Sequence, residues 1–126
     1  IHEEGVAAIK SDEKYYAIKH KGLTKVTDSL FLNSDTSACN KLFRKSTIDK
    51  HNLHFEKILY EAFQFTHQYL AVSKNVYYVP EKLYMYLRRS NSIMSETFKK
   101  TPRAIDHLYA YNYVYEFLEK NNLLNN

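Results

Sequence analysis

The sequence LYEAF at residues 59–63 lies at the centre of the stretch that decides the fold. Small and apolar side chains follow it at helical spacing, which predicts a helix from Tyr60 to Ser73 with one apolar face. That face consists of Ala62, Phe63, Thr66, Tyr69, Leu70 and Ser73. Two further blocks flank this helix: CNKLFRK at 39–45 on one side, and VPEKLYMY at 79–86 with RRSNSIM at 88–94 on the other.

The flanking blocks predict one more helix and two strands. A cluster of N-cap residues over 34–37 predicts a helix from Ser37 to His51. Its inward side chains would be Leu42, Phe43 and Ile48. The β-formers Val76–Val79 predict a strand, and alternation over 82–88 predicts a second one.

The two ends of the chain complete the secondary structure. Residues 15–21 predict a strand closed by Gly22, and 23–33 predict a loop with a helical turn over 28–31. Thr101-Pro102 opens a final helix, which Asn121-Asn122 ends. Its predicted apolar face consists of Ile105, Leu108, Tyr109, Asn112, Tyr115, Leu118 and Glu119.

Length and composition predict one folded unit spanning residues 1–126, and the predicted helices and strands place it in the α+β class, rich in helix. A chain of 126 residues suffices for one core, and 44% hydrophobic with 25% charged residues is a globular composition. Twelve tyrosines and seven phenylalanines accompany no tryptophan. Because tyrosine buries its ring and keeps its hydroxyl wet, many of these rings should lie at the edge of the core or line a cleft.

Charge and cysteine content indicate which partners and which redox compartment suit this chain. The formal net charge of +4 mildly favours anionic partners or an acidic membrane surface. One cysteine excludes an internal disulfide and fits a reducing compartment, and Cys39 is interpreted as a packed thiol. No apolar run approaches the ~20 residues of a membrane-spanning helix. The chain begins with Ile1, and we interpret it as a fragment.

Histidine spacing does not predict a metal site. His51 and His54 are three residues apart, but no third clustered ligand accompanies them, and surface histidines are the commoner finding. The chain holds two glycines, no Gly-rich phosphate loop and no Asp-x-Asp motif.

In order and spacing, the three blocks resemble the C-terminal part of the catalytic domain of bacterial family-2 glycosyltransferases. The resemblance implies the acceptor-side part of an A-type α/β domain, with short strands and three main helices. It further implies an enzyme that transfers a sugar, with inversion, from a nucleotide-sugar donor to a cell-surface glycan such as lipopolysaccharide or capsule. Such enzymes act in the cytoplasm, at the inner face of the membrane.

The resemblance also assigns roles to residues. In the family, the aspartate of Tyr-Glu-Asp removes the proton from the acceptor hydroxyl, whereas this chain has Ala62 after Tyr60 and Glu61. An engineered change, a naturally inactive relative, and transfer of the role to Glu61 are three open explanations. A structural role for Glu61 at a helix N-terminus is the alternative to all three.

Two further sets of residues are implied to bind substrate. Arg88 and Arg89, with Ser92, match the ending that lies near the donor diphosphate, whose oxygens a guanidinium binds bidentately. Asn40 and Lys41 match a helix that borders the acceptor cleft, where Asn40 binds a sugar hydroxyl or braces the Glu-Asp segment. An ordinary solvated surface is the alternative reading of the arginines.

The family binds its nucleotide and a divalent metal, Mg or Mn, through an N-terminal half with an Asp-x-Asp motif, which this sequence lacks. No cofactor is therefore expected within this chain, and the chain alone is expected to be inactive. The alternative from another class is a small, basic, tyrosine-rich interaction module that binds an acidic partner or nucleic acid. Nucleic acid is not favoured, because the basic residues are spread along the chain.

Overall fold

The computed structural model describes residues 22–79, 81, 83–85 and 105–124. Within these residues the fold is α+β, with four helices and a two-stranded antiparallel sheet. In chain order the elements are β1 (Gly22–Lys25), α1 (Asp28–Asn33), α2 (Lys45–His51), α3 (Glu61–Val72), β2 (Asn75–Tyr78) and α4 (Ile105–Lys120).

Helix α3 is the centre of the described fold. Its bounds agree with the predicted helix, and Ser73 ends it by donating its hydroxyl to the Tyr69 carbonyl at 2.7 Å. The prediction of one apolar face is wrong, because five consecutive residues, 64–68, are buried. Five positions cover more than a full turn, so neighbours surround the helix and buried Gln64 and Gln68 need polar partners.

The helix predicted from Ser37 is wrong over its first half, since α2 begins at Lys45. Side-chain bonds of the preceding loop compete with helix formation: Asp35 accepts from the Ser37 amide at 2.9 Å, and Ser37 accepts from the Cys39 amide at 3.2 Å. Leu42, predicted to face inward, is fully exposed. Cys39, predicted to be packed, is exposed as well.

The sheet confirms one predicted strand and adds another. β2 confirms the strand predicted at 76–79, and it pairs with β1 in the register Leu23↔Tyr77. The prediction of a loop is wrong over 23–25, because these residues belong to β1. The strand predicted over 82–88 is wrong at 83–85, which form no strand. Residues 82 and 86–88 of that segment lie outside the described residues. The strand predicted at 15–21 lies outside them as well.

Helix α4 confirms the predicted final helix from Ile105 onward but presents another face to the core, and the predicted start at Thr101-Pro102 lies outside the described residues. Its end at Asn121-Asn122 is as predicted, with Asn122 at φ 55° and the Leu123 amide donating to the Leu118 carbonyl at 2.8 Å. Its buried residues are Ala110 and Val114. Most of the predicted apolar face is instead exposed: Ile105, Leu108, Tyr109, Asn112, Tyr115 and Glu119.

Candidate functional site

Glu61 and Ala62 form the first turn of α3, and both are half-buried. Tyr60 precedes them as the N-cap residue and makes no side-chain capping bond. The free backbone amides of a helix N-terminus favour a negative charge, so Glu61 is placed where its carboxylate is stabilised. Ala62 has no proton acceptor, and Glu61 is the carboxylate that this turn offers.

Aromatic rings lie beside this turn, where α4 crosses α3. The Tyr60 ring stacks on the His107 imidazole with centroids 3.4 Å apart and planes 25° apart, and Phe63 contacts Tyr111 at 4.7 Å. His107 and Tyr111 are one turn apart on α4, and both are exposed. We name these four residues, Tyr60, Phe63, His107 and Tyr111, the ring ledge.

The ring ledge combines two kinds of chemistry. Its exposed rings offer flat apolar surface on which a sugar ring or a base can stack. The His107 imidazole, and the Glu61 carboxylate of the adjoining helix turn, can hydrogen-bond the polar groups of a ligand. Sequence reasoning missed His107, because its partner Tyr60 is 47 positions away and no local pattern links them.

Asn40 and Lys41 lie in the irregular loop before α2, so the prediction that they belong to a helix is wrong. Asn40 donates its side-chain amide to Asp35 at 2.6 Å, rather than bracing the turn at Glu61. Lys41 donates to the Ser37 carbonyl at 2.6 Å and to the Asn40 side chain at 2.9 Å. These bonds hold the loop in one shape.

Burial lowers the pKa of Lys41, and the attraction of Asp35 only partly opposes this effect. The Lys41 charge in turn helps to lower the pKa of His67 on α3.

The arginine block lies outside the described residues. Arg88, Arg89 and Ser92 belong to the segment 86–104, so their predicted role in binding diphosphate stays a prediction.

No group of three potential metal ligands occurs in the described part of the chain. There, His54 contacts Glu56 at 2.8 Å and the Asn52 carbonyl at 3.1 Å. The described helices include none with the length and apolar character that crossing a membrane requires.

Comparisons with protein-family models, with curated proteins and with solved structures give no match to this chain. The resemblance to family-2 glycosyltransferases therefore rests on the three sequence blocks.

Proposed function

We propose that the chain is the acceptor-side part of an inverting A-type glycosyltransferase, which transfers a sugar from a nucleotide donor to a cell-surface glycan. The observation that carries the proposal is the position of Tyr60-Glu61-Ala62 at the first turn of the central helix, beside the ring ledge. An inverting transfer needs a base within hydrogen-bond reach of the acceptor hydroxyl. A helix start next to exposed rings supplies a place for that base and a surface on which a sugar can stack.

The remaining roles follow from the same proposal. Arg88 and Arg89, with Ser92, hold the donor diphosphate, and Asn40 with Lys41 borders the acceptor cleft. The nucleotide and its Mg or Mn ion bind to an N-terminal half with an Asp-x-Asp motif. The enzyme works in the cytoplasm at the inner face of the membrane.

Restoring the carboxylate tests the proposal. In the full-length protein, Ala62→Asp should raise turnover about 10²- to 10⁴-fold, the usual effect of a positioned base. Ala62→Asn is the matched control, because it has nearly the same shape but cannot take the proton at neutral pH. Sugar transfer is measured by release of the nucleoside diphosphate.

An Ala62→Asp variant that is no faster than Ala62→Asn would contradict the base assignment. A large gain confined to Ala62→Asp would support the alignment of Tyr60-Glu61-Ala62 with the family motif, and it would identify Ala62 as a lost base.

The interaction module is the second candidate, and one observation favours it. Four exposed cationic residues occur within 44–57, so part of the basic charge is clustered in this segment of the sequence. The encoding sequence upstream discriminates between the two. A nucleotide-binding βαβ segment followed by Asp-x-Asp supports the transferase, and an upstream region without either supports the module.

A further inference from the structure

Residues 41–44 belong to no helix or strand, and their burial alternates along the chain. Lys41 and Phe43 are half-buried, whereas Leu42 and Arg44 are exposed. Leu42 and Arg44 are therefore the two side chains of this segment that face solvent. Leu42 has a relative exposure of 103%, the highest of the large hydrophobic side chains in the described chain.

The fold holds this segment in place. Phe43 packs edge-on against Phe65 at 5.1 Å and against Tyr69 at 4.8 Å. The Arg44 amide donates to the Tyr69 hydroxyl at 2.8 Å. The contacts of Phe43 and Arg44 thus fix the backbone next to Leu42, while the Leu42 side chain lies in solvent.

A second exposed apolar side chain shares the same support. Phe55 stacks on Phe65 at 4.2 Å and is 50% exposed. Phe43 and Phe55 both contact the buried Phe65 ring, which joins the Leu42 segment to the connector before α3. We name Leu42 and Phe55 the apolar tip.

Positive charge surrounds the apolar tip in sequence. Residues 44–57 carry four exposed cations, Arg44, Lys45, Lys50 and Lys57, against two acids. Both acids have partners within the same segment: Asp49 bonds Lys45 at 2.6 Å, and Glu56 contacts His54 at 2.8 Å. In contrast, α4 carries three acids and one lysine. Along the sequence, the described charge is therefore basic over 44–57 and acidic over α4.

We propose that the apolar tip and its basic collar dock this protein onto an anionic lipid bilayer. A single exposed leucine is ordinary on a protein surface. Here the leucine side chain is fully exposed on an anchored backbone, and cations flank it. Membrane-binding surfaces combine the same two features: an apolar side chain enters the interfacial layer, and neighbouring lysines and arginines bind the lipid headgroups. A projecting tip needs no matching pocket, and anionic headgroups complement the collar.

This inference assigns residues to the membrane association within the proposed function. Vesicle binding requires no sugar substrate, so it can succeed or fail independently of sugar transfer. Flotation of the chain with phosphatidylglycerol-containing vesicles tests it, with pure phosphatidylcholine vesicles as the reference. Binding is expected to the anionic vesicles alone.

Two substitutions separate apolar insertion from charge attraction. Leu42→Ser should weaken vesicle binding about fivefold, because a largely apolar contact with the acyl boundary is lost. Arg44→Gln should weaken it by a similar factor, about fivefold, through the loss of one cation near the headgroups. Since the Leu42 side chain is fully exposed, its replacement leaves the fold intact.

Leu108→Ser is the matched control, because Leu108 is 68% exposed on the acidic helix α4. It should bind vesicles like the wild type. Absence of wild-type binding, or equal losses for Leu42→Ser and Leu108→Ser, would overturn the proposal. So would a Leu42→Ser variant that binds like the wild type while Arg44→Gln weakens binding and heparin competes, because the collar would then be a general polyanion surface.

Discussion

At the scale of single residues, His67 shows how the core alters a titratable group. The side chain is 5% exposed, and the Phe31 ring meets it edge-on at 5.1 Å. Its Nδ1 lies 2.9 Å from the Phe63 carbonyl oxygen. Burial lowers the pKa of His67 below 6.5, and the nearby Lys41 charge acts in the same direction. The backbone oxygens of Phe63 and Phe31 oppose this shift without reversing it.

Stability should therefore fall in acid. The folded chain holds the His67 proton less tightly than the unfolded chain, whose histidine has a pKa near 6.5, so protonation favours unfolding. The free energy of unfolding should lose its dependence on His67 above pH 6.5 and decline as the pH falls from there towards the lowered pKa. Urea unfolding at a series of pH values measures this decline.

His67→Gln is the control for that series. It removes the titrating group, so the variant should lose less stability between neutral and acid pH than the wild type does. Identical pH profiles for the two chains would show that groups other than His67 produce the decline.

At the scale of elements, the sequence of α4 does not indicate which face of the helix packs against the core. The helix is rich in tyrosine on several sides, and a tyrosine ring suits both core edge and solvent. Helical periodicity therefore could not decide which side packs. Small residues decided it, because Ala110, at 0% exposure, allows α4 to approach α3 closely.

Substitutions on α4 test this assignment of faces. Ala110→Leu should lower the free energy of unfolding by about 1 to 3 kcal/mol, because the added atoms have no space against α3. Leu108→Ala, on the predicted but exposed face, should change it by less than about 0.5 kcal/mol. Chemical denaturation measures both, and a larger loss for Leu108→Ala would show that the predicted face is the packed one.

At the scale of the whole molecule, a relay of two buried glutamines joins three parts of the chain. Gln64 accepts from the Glu56 amide and donates to the His54 carbonyl, both at 3.2 Å. It also donates to Gln68 at 2.6 Å, and Gln68 donates to the Tyr113 carbonyl on α4 at 3.1 Å. The relay links the connector before α3, α3 itself and α4.

Breaking the relay should weaken the fold as a whole. Gln64→Leu leaves the Glu56 amide and the His54 carbonyl without this partner, which should lower the free energy of unfolding by about 2 kcal/mol. Asn112→Ala removes an exposed amide that donates to Glu116 at 2.6 Å, and it should cost less than about 0.5 kcal/mol. Equal losses in urea unfolding would show that the relay adds nothing beyond a surface hydrogen bond.

Part of the candidate site was predictable from the sequence. Helical spacing after LYEAF placed Glu61 and Ala62 at the start of a helix, where the structure has them. The contact between Tyr60 and His107 was not predictable, because stacking depends on how α4 crosses α3. Asn40 and Lys41 were placed on a helix because N-cap residues precede them, but Asp35 and Ser37 instead bond within a loop.

The sequence by itself determined α3, α4 and β2, since each has a local signal: helical periodicity, asparagines that stop a helix, or a run of β-formers. Only the tertiary structure decided the pairing of β1, the late start of α2, the buried face of α4 and the projection of Leu42. The physical reason is the range of the interactions. Caps and periodicity act within a few residues, whereas strand pairing, close helix approach and aromatic packing depend on partners that are distant in the chain.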